Sequence, residues 1–169
     1  MNSPYMGKFQ VTQEFKGQAH DGLDLVGLES KEIHSTVNGT VHYAGWENSA
    51  NHSQGFGQYV CIDGTDGNFY YFGHLSEIRV KAGDTVKITD VLGVEGNTGY
   101  STGSHCHYCA RPQFSSGNAF NISEISGIPN TLGVYDDGYT TTTKKTVNVT
   151  LSADGKTYSG TLSAKVKSS

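Results

Sequence analysis

The sequence predicts an all-β domain of antiparallel strands, and three observations carry that prediction. Short segments alternating apolar and polar residues recur along the chain, turn-forming dipeptides separate them, and a helical period is nearly absent. The composition agrees: 22 Gly and 10 Tyr with only 17% charged residues suit strands and tight turns better than a helical bundle. At 169 residues the chain is one domain with a small appendage, long enough to bury a core without disulfide staples.

Taken in order, Gly7–Phe15 (GKFQVTQEF) reads as a strand because Phe9 and Val11 alternate with polar neighbours. Thr36–Ala44 turns at Asn38-Gly39 and continues as a strand with Val41 and Tyr43 on one side and His42 towards solvent. Gly57–Ile62, the turn Asp63–Asn68 and Phe69–Gly73 form a hairpin. Val91–Val94 precedes a glycine-rich loop, Gly96–Ser104, which feeds the strand His105–Arg111. Beyond Pro112 the chain is irregular, with a short helical turn at Ile122–Ile125. Residues 133–143 are rich in Gly, Asp and Thr and read as a linker. Thr146–Leu151 and Lys156–Leu162 flank Asp154-Gly155 in a hairpin pattern. The expected organisation is a main domain over residues 1–132, a linker-like segment over 133–145 and a C-terminal β-hairpin extension over 146–169. An isolated hairpin is marginal in water, so Val147, Val149 and Leu151 need burial against the main domain, a further domain or another chain.

Several classes are excluded. The apolar runs are too short for a transmembrane helix. A net charge of −4 and no basic stripe leave nucleic acid an unexpected partner. Three cysteines (Cys61, Cys106 and Cys109) do not make a disulfide framework. Met1–Tyr5 lacks the basic start and apolar stretch of a signal peptide, so the expectation is a chain exported by another route or a segment of a longer protein.

The histidines carry the chemistry. His20 and Asp24, in AHDGLDL, pair an imidazole with a carboxylate four residues away, and Gly22 favours a loop between them. Nitrogen with carboxylate oxygen is a standard donor pair for zinc, although a solvated turn would also produce this spacing. His105 and His107 lie two apart on a strand and share a face, where one can bind a metal while the other stands beside its water. Two surface histidines on an edge strand are the bland alternative. Cys106 and Cys109 form C-x-x-C, but three residues apart on a strand they face opposite ways, so Cys106 belongs to the core. His74, closing YYFGHLS, is either a satisfied half-buried residue or a hydrogen-bond donor to an oxyanion in a cleft. His34, His42 and His52 sit in polar surroundings and read as surface or loop residues.

In order along the chain stand H-x-x-x-D, a segment NGTVHYA, GFGQYVCI, a hairpin ending in G-H-L-S, V-K-A-G-D-x-V, and G-N-T-G-x-S-T-G-S-H-x-H. This series resembles the M23 zinc metallopeptidases, the lysostaphin-like or LytM-type family, over about Phe9–Arg111. The resemblance implies an antiparallel sheet groove of the lysostaphin-like, duplicated hybrid motif type. It also implies one Zn²⁺ per chain, held by His20, Asp24 and His107 with water in the fourth position, and catalytic roles for His105 and His74. One of these two would accept the water proton and the other would stabilise the oxyanion. The loops Glu47–Gly55 and Gly96–Ser104 would line the groove, with Tyr100 as a substrate contact. The implied substrate is a bacterial peptidoglycan peptide, in a glycyl bridge or a direct stem cross-link, with neither nucleic acid nor membrane as partner. A virion-associated phage tail or lysin component, or a segment of a larger secreted protein, acting on the cell wall, is the expected setting. A non-catalytic peptidoglycan- or partner-binding module would be expected to lose one of the five residues, and all five are intact. The departures are Cys106 where an apolar residue is usual between the paired histidines, Val37 to Val41 in place of A-x-G-x-V, and a long polar loop, Leu28–Ser35, of the kind that walls the family's cleft.

Overall fold

The computed structural model describes residues 1–115 and 117–138. The elements are β1 (Lys8–Gln13), β2 (Leu23–Gly27), β3 (Glu32–His34), β4 (Gly39–Trp46), β5 (Gln58–Gly64), β6 (Phe69–Gly73), β7 (Glu77–Ile78), β8 (Thr85–Val86), β9 (Val91–Val94), β10 (Cys106–Arg111), the helix α1 (Ile122–Ser126) and β11 (Gly133–Asp136). An eight-stranded sheet runs in the order β11-β1-β2-β10-β6-β5-β4-β8, and a three-stranded sheet in the order β3-β9-β7. Every pairing among these strands is antiparallel, as the short connections and turn residues require.

Strand alternation sorts the side chains of the large sheet onto two faces. Phe9, Val11, Leu23, Leu25, Val60, Ile62, Tyr70, Phe72, Cys106 and Tyr108 enter one core, which Ile33 and Leu92 of the small sheet and Ile122 of α1 complete. The intervening residues Tyr59, Cys61, Tyr71 and Cys109 form a second, aromatic cluster on the other face, with Phe56, Phe69 and Phe114 packed against it. Tyr59, Tyr71 and Phe56 stack in sequence there, with ring centroids 5.5 to 6.0 Å apart. This aromatic layer supports the cleft described below. Cys106 and Cys109 are buried free thiols on opposite faces, as their spacing predicts.

Three expectations need correction. Val41 and Tyr43 do not share a side: Val41 pairs with Ile62 and Tyr43 with Cys61, so His42 is a bulged residue. The extra residue turns Tyr43 onto the aromatic face, where it stacks on Tyr59, and leaves His42 against Phe69 and Phe114. The linker-like segment over 133–145 begins as a strand. Residues 133–136 are β11, paired with β1 from Val11↔Gly133 to Lys8↔Asp136. The physical reason is Tyr135, whose ring packs 6.0 Å from Phe9, so this Gly- and Asp-rich stretch closes the edge of the sheet. The main domain therefore continues past residue 132. The loop Leu28–Ser35 holds β3, whose Ile33 is buried in the first core, and it does not wall the cleft. The C-terminal hairpin expected over 146–169 lies outside the described residues.

Candidate active site

The register of β2 against β10 sets His107 directly opposite Asp24, both on the face away from the first core. His105 sits two residues earlier on the same face, anchored by its N–H on the Gly96 carbonyl at 3.0 Å. On the other flank of β10, His107 pairs with Gly73, the last residue of β6. His74 follows with φ +64°, a left-handed conformation that a non-glycine residue pays about 1 kcal/mol or more to hold. Its N–H on the Phe56 carbonyl at 2.7 Å fixes that bend and turns the ring towards His105, 4.6 Å between centroids. His20 comes from the turn between β1 and β2, where its carbonyl accepts the Lys16 N–H at 2.8 Å.

Donor atoms converge at Asp24. His20 Nε2 lies 3.1 Å and His107 Nδ1 2.9 Å from Asp24 Oδ1. His20 Nδ1 lies 2.7 Å from the Glu14 carbonyl, which can only accept, so the proton of the neutral ring is on Nδ1. In the neutral ring the Nε2 lone pair then faces a carboxylate lone pair, and either a second proton on Nε2 or a metal cation between the two relieves this. His107 repeats the pattern, with Nδ1 towards Asp24 and Nε2 3.1 Å from Asp21 Oδ1, and a neutral imidazole can donate to one of them alone. Burial pushes the Asp24 carboxyl up, but hydrogen bonds with His107 and His20 outweigh it and hold it well below the ordinary carboxylate range. Burial likewise opposes charge on His107, yet the bonds to Asp21 and Asp24 keep its pKa well above the ordinary value. The ligand atoms of His20, Asp24 and His107 all lie within 4.8 Å of one another, so two nitrogens and a carboxylate oxygen fit a metal ion. Asp21, His107 and Cys109 form a second such group, sharing His107.

His105 and His74 stand beside this group with a common orientation. His105 Nδ1 is 2.8 Å from the Gly103 carbonyl and its Nε2 is 3.5 Å from Asp24 Oδ1. His74 Nδ1 is 2.7 Å from the Thr98 carbonyl. Each neutral ring therefore keeps its proton on Nδ1 and an open lone pair on Nε2. Burial pushes the His74 pKa down to about 4, so this ring is neutral near pH 7.

All five histidine and aspartate positions singled out in the sequence line one cleft of about 540 Å³. Tyr100, 84% exposed, stands on its rim with Ser101 and Thr102, and Glu47, Gly55 and Phe56 line it from the other loop. The two loops are joined backbone to backbone, Gly99 N–H to His52 and Tyr100 N–H to Gly55, and a Cβ on Gly99 would come within 2.3 Å of the Gly57 nitrogen. Asp21 and Arg111 also line the cleft, and sequence reasoning missed both. Arg111 was accessible to it, since the period of two that pairs His105 with His107 continues to Arg111 on the same face. Asp21 occupies a spacer position of H-x-x-x-D and gives no periodic signal.

The family model of Peptidase family M23 matches residues 18–121. The chain is similar to lysostaphin of Staphylococcus simulans, 33% identical over 93 residues, which cover 54% of this chain and 18% of the relative. It is similar at the same identity to the glycyl-glycine endopeptidase ALE-1 of Staphylococcus capitis, over 54% of this chain and 24% of that protein. An uncharacterized metalloprotease of Buchnera aphidicola is 32% identical over 62% of this chain and 29% of its own length. The chain thus spans less than a third of each of these relatives. Among solved structures, the catalytic domain of lysostaphin from Staphylococcus simulans superposes with a TM-score of 0.57 at 30% identity, covering 64% of this chain and 79% of that one. A mutant catalytic domain of the prophage-encoded M23 protein EnpA from Enterococcus faecalis gives 0.56 at 29% identity, covering 66% and 86%. With an antiparallel sheet of the same kind, and with H-x-x-x-D and H-x-H brought together in one cleft, the chain belongs to Peptidase family M23 and carries a metallopeptidase domain.

Proposed function

We propose that the chain is a zinc metalloendopeptidase that hydrolyses peptide bonds in bacterial peptidoglycan. The observation that carries this reading is the convergence of His20 Nε2, Asp24 Oδ1 and His107 Nδ1, with two further imidazole Nε2 atoms beside them. His20, Asp24 and His107 would hold the ion. When bound, zinc supplies Lewis acidity that polarises the scissile carbonyl and acidifies the attacking water. The protein's own groups do the rest. His105 Nε2, 3.5 Å from Asp24 Oδ1 and with Nδ1 turned to the Gly103 carbonyl, would accept the water proton. His74 begins as a neutral acceptor because Thr98 occupies its Nδ1–H. It would stabilise the oxyanion as a hydrogen-bond donor when its Nε2 takes up a proton from solvent, while the proton of the attacking water passes through His105 to the leaving amine. The cleft between the Glu47–Gly55 and Gly96–Ser104 loops takes an extended peptide, with Tyr100 on its rim as a contact. The likeness to a glycyl-glycine endopeptidase and to the antimicrobial peptidase lysostaphin supports the substrate class. Digestion of peptidoglycan with glycyl bridges and with direct stem cross-links, followed by mass spectrometry of the fragments, tests the reading. Release of muropeptides by the wild-type chain and not by His105→Ala is expected. Binding without release from either substrate would leave a non-catalytic module.

A further inference from the structure

We propose that Asp21 is a positioning residue for His107: it accepts the His107 Nε2–H and so directs Nδ1 towards Asp24. The inference rests on the metal reading above, because a metal at Nδ1 requires the ring proton on Nε2.

Asp21 Oδ1 lies 3.1 Å from His107 Nε2, while its second oxygen, Oδ2, accepts from Arg111 Nη2 at 2.6 Å. The guanidinium itself lies over two aromatic rings, its carbon 4.9 Å from the Tyr71 centroid and 5.3 Å from that of Phe56. Asp21 therefore cannot swing freely. One oxygen is fixed by a cation that two rings immobilise, and the other is left facing the ligand histidine. The result is a chain of contacts from the aromatic layer through Arg111 and Asp21 to His107. It fixes the tilt of the ring before any ion arrives and keeps the Nε2 proton in place when Nδ1 gives up its own to a metal. A carboxylate on the far nitrogen of a ligand histidine orients the ring and raises its basicity, and removing such a partner weakens metal affinity about 10- to 100-fold.

The test is zinc affinity of the full chain, by competition with a chromophoric chelator. Asp21→Leu has similar size but no acceptor. Asp21→Asn keeps an oxygen for the Nε2–H. His20→Ala reports separately on the metal reading. The expected result is a 10- to 100-fold loss for Asp21→Leu, recovery of most of it in Asp21→Asn, and gross loss of zinc in His20→Ala. If His20→Ala loses zinc but Asp21→Leu binds like wild type, or if both Asp21 variants are equally impaired, the positioning role is overturned and the metal reading stands. If His20→Ala binds like wild type, the metal reading fails and the proposal with it. Should Asp21→Leu not fold, Asp21→Ala takes its place in the same competition, with the same expected loss and the same overturning result. In long-range ¹H–¹⁵N spectra of the zinc-loaded wild-type chain the His107 proton must appear on Nε2, and a proton on Nδ1 would overturn the proposal.

Discussion

At the scale of single residues, the cleft divides into groups that would hold the ion and groups that would move protons, and substitution separates them. His20→Ala and Asp24→Ala each remove one of three donors, so both should lose bound zinc on dialysis, measured as metal content. His105→Ala and His74→Ala should keep zinc and lose turnover by about 10²-fold or more, the usual cost of deleting a general base or an oxyanion donor. The reverse pattern, zinc lost in His105→Ala and kept in His107→Ala, would exchange the roles of the paired histidines. Gly22 is a sharper probe of shape. A Cβ there would sit 2.7 Å from His107 Nε2 and from the Tyr108 carbonyl, closer than real Cβ contacts allow. Gly22→Ala must displace both the ring and the β10 backbone at Tyr108, so it should weaken zinc about tenfold or more and lower the melting temperature, read by chelator competition and circular dichroism. H-x-x-x-D and H-x-H were legible because metal donors must be His or Asp and strand geometry fixes which of them share a face. Asp21 was not, because what selects it is contact with His107 and Arg111, residues 86 and 90 positions away.

At the scale of elements, strands with strong alternation were legible and weak ones were not. β6 and β9 coincide with Phe69–Gly73 and Val91–Val94, where apolar runs end at clear turns. β7 and β8 have two residues each, too few to show a period. The bulge at His42 left no trace in a sequence that continues to alternate through it. Glu95 was likewise silent, yet its buried carboxylate ties together four segments. It accepts hydrogen bonds from the Tyr5 hydroxyl at 2.6 Å, the Gly27 N–H at 2.9 Å, Lys31 Nζ at 2.8 Å and Ser104 Oγ beside His105. Burial pushes this carboxyl up, but the bonds from Lys31, Ser104, Tyr5 and Gly27 outweigh it and lower its pKa from the ordinary 4.5. The sign follows. A carboxyl lowered in the folded state contributes stability that is fully present above its unfolded value and is lost as pH falls through the folded one. Glu95→Gln turns an amide N–H₂ towards donors and should cost on the order of 3 kcal/mol at neutral pH. Melting temperatures should therefore differ most near pH 7 and converge in acid below pH 4.5. A constant gap across that range would mean that Glu95 is not ionised in the fold.

At the scale of the molecule, the question is where the folded unit ends. Composition placed the boundary at residue 132, since a stretch of Gly, Asp and Thr without strong alternation looks like a connector. Only two of the four β11 residues are even partly buried, which is why an edge strand of this kind escapes a hydrophobic pattern. Its contribution is nevertheless structural. Four register pairs join it to β1, Tyr135 packs on Phe9, the Asp137 N–H bonds the Gly7 carbonyl at 3.2 Å, and Asp137 Oδ2 accepts the Ser3 N–H. β1 in turn pairs with β2, which carries Asp24, so the edge strand lies two strands from a candidate ligand. A chain ended after Leu132 leaves β1 an open edge and bares part of Phe9. With several ladder bonds at roughly 1 kcal/mol each and the loss of Tyr135 packing, it should be destabilised by about 2 kcal/mol or more. It should also expose a strand able to pair with other copies. A chain ended after Gly138 keeps the strand and both Asp137 bonds, and should retain zinc affinity and peptide turnover. Thermal melts and light scattering of the two truncations beside the full chain measure the difference. Equal melting temperatures for the 132- and 138-residue chains would show that β11 adds nothing to the sheet, while failure of the longer one to fold would move the boundary further along the chain.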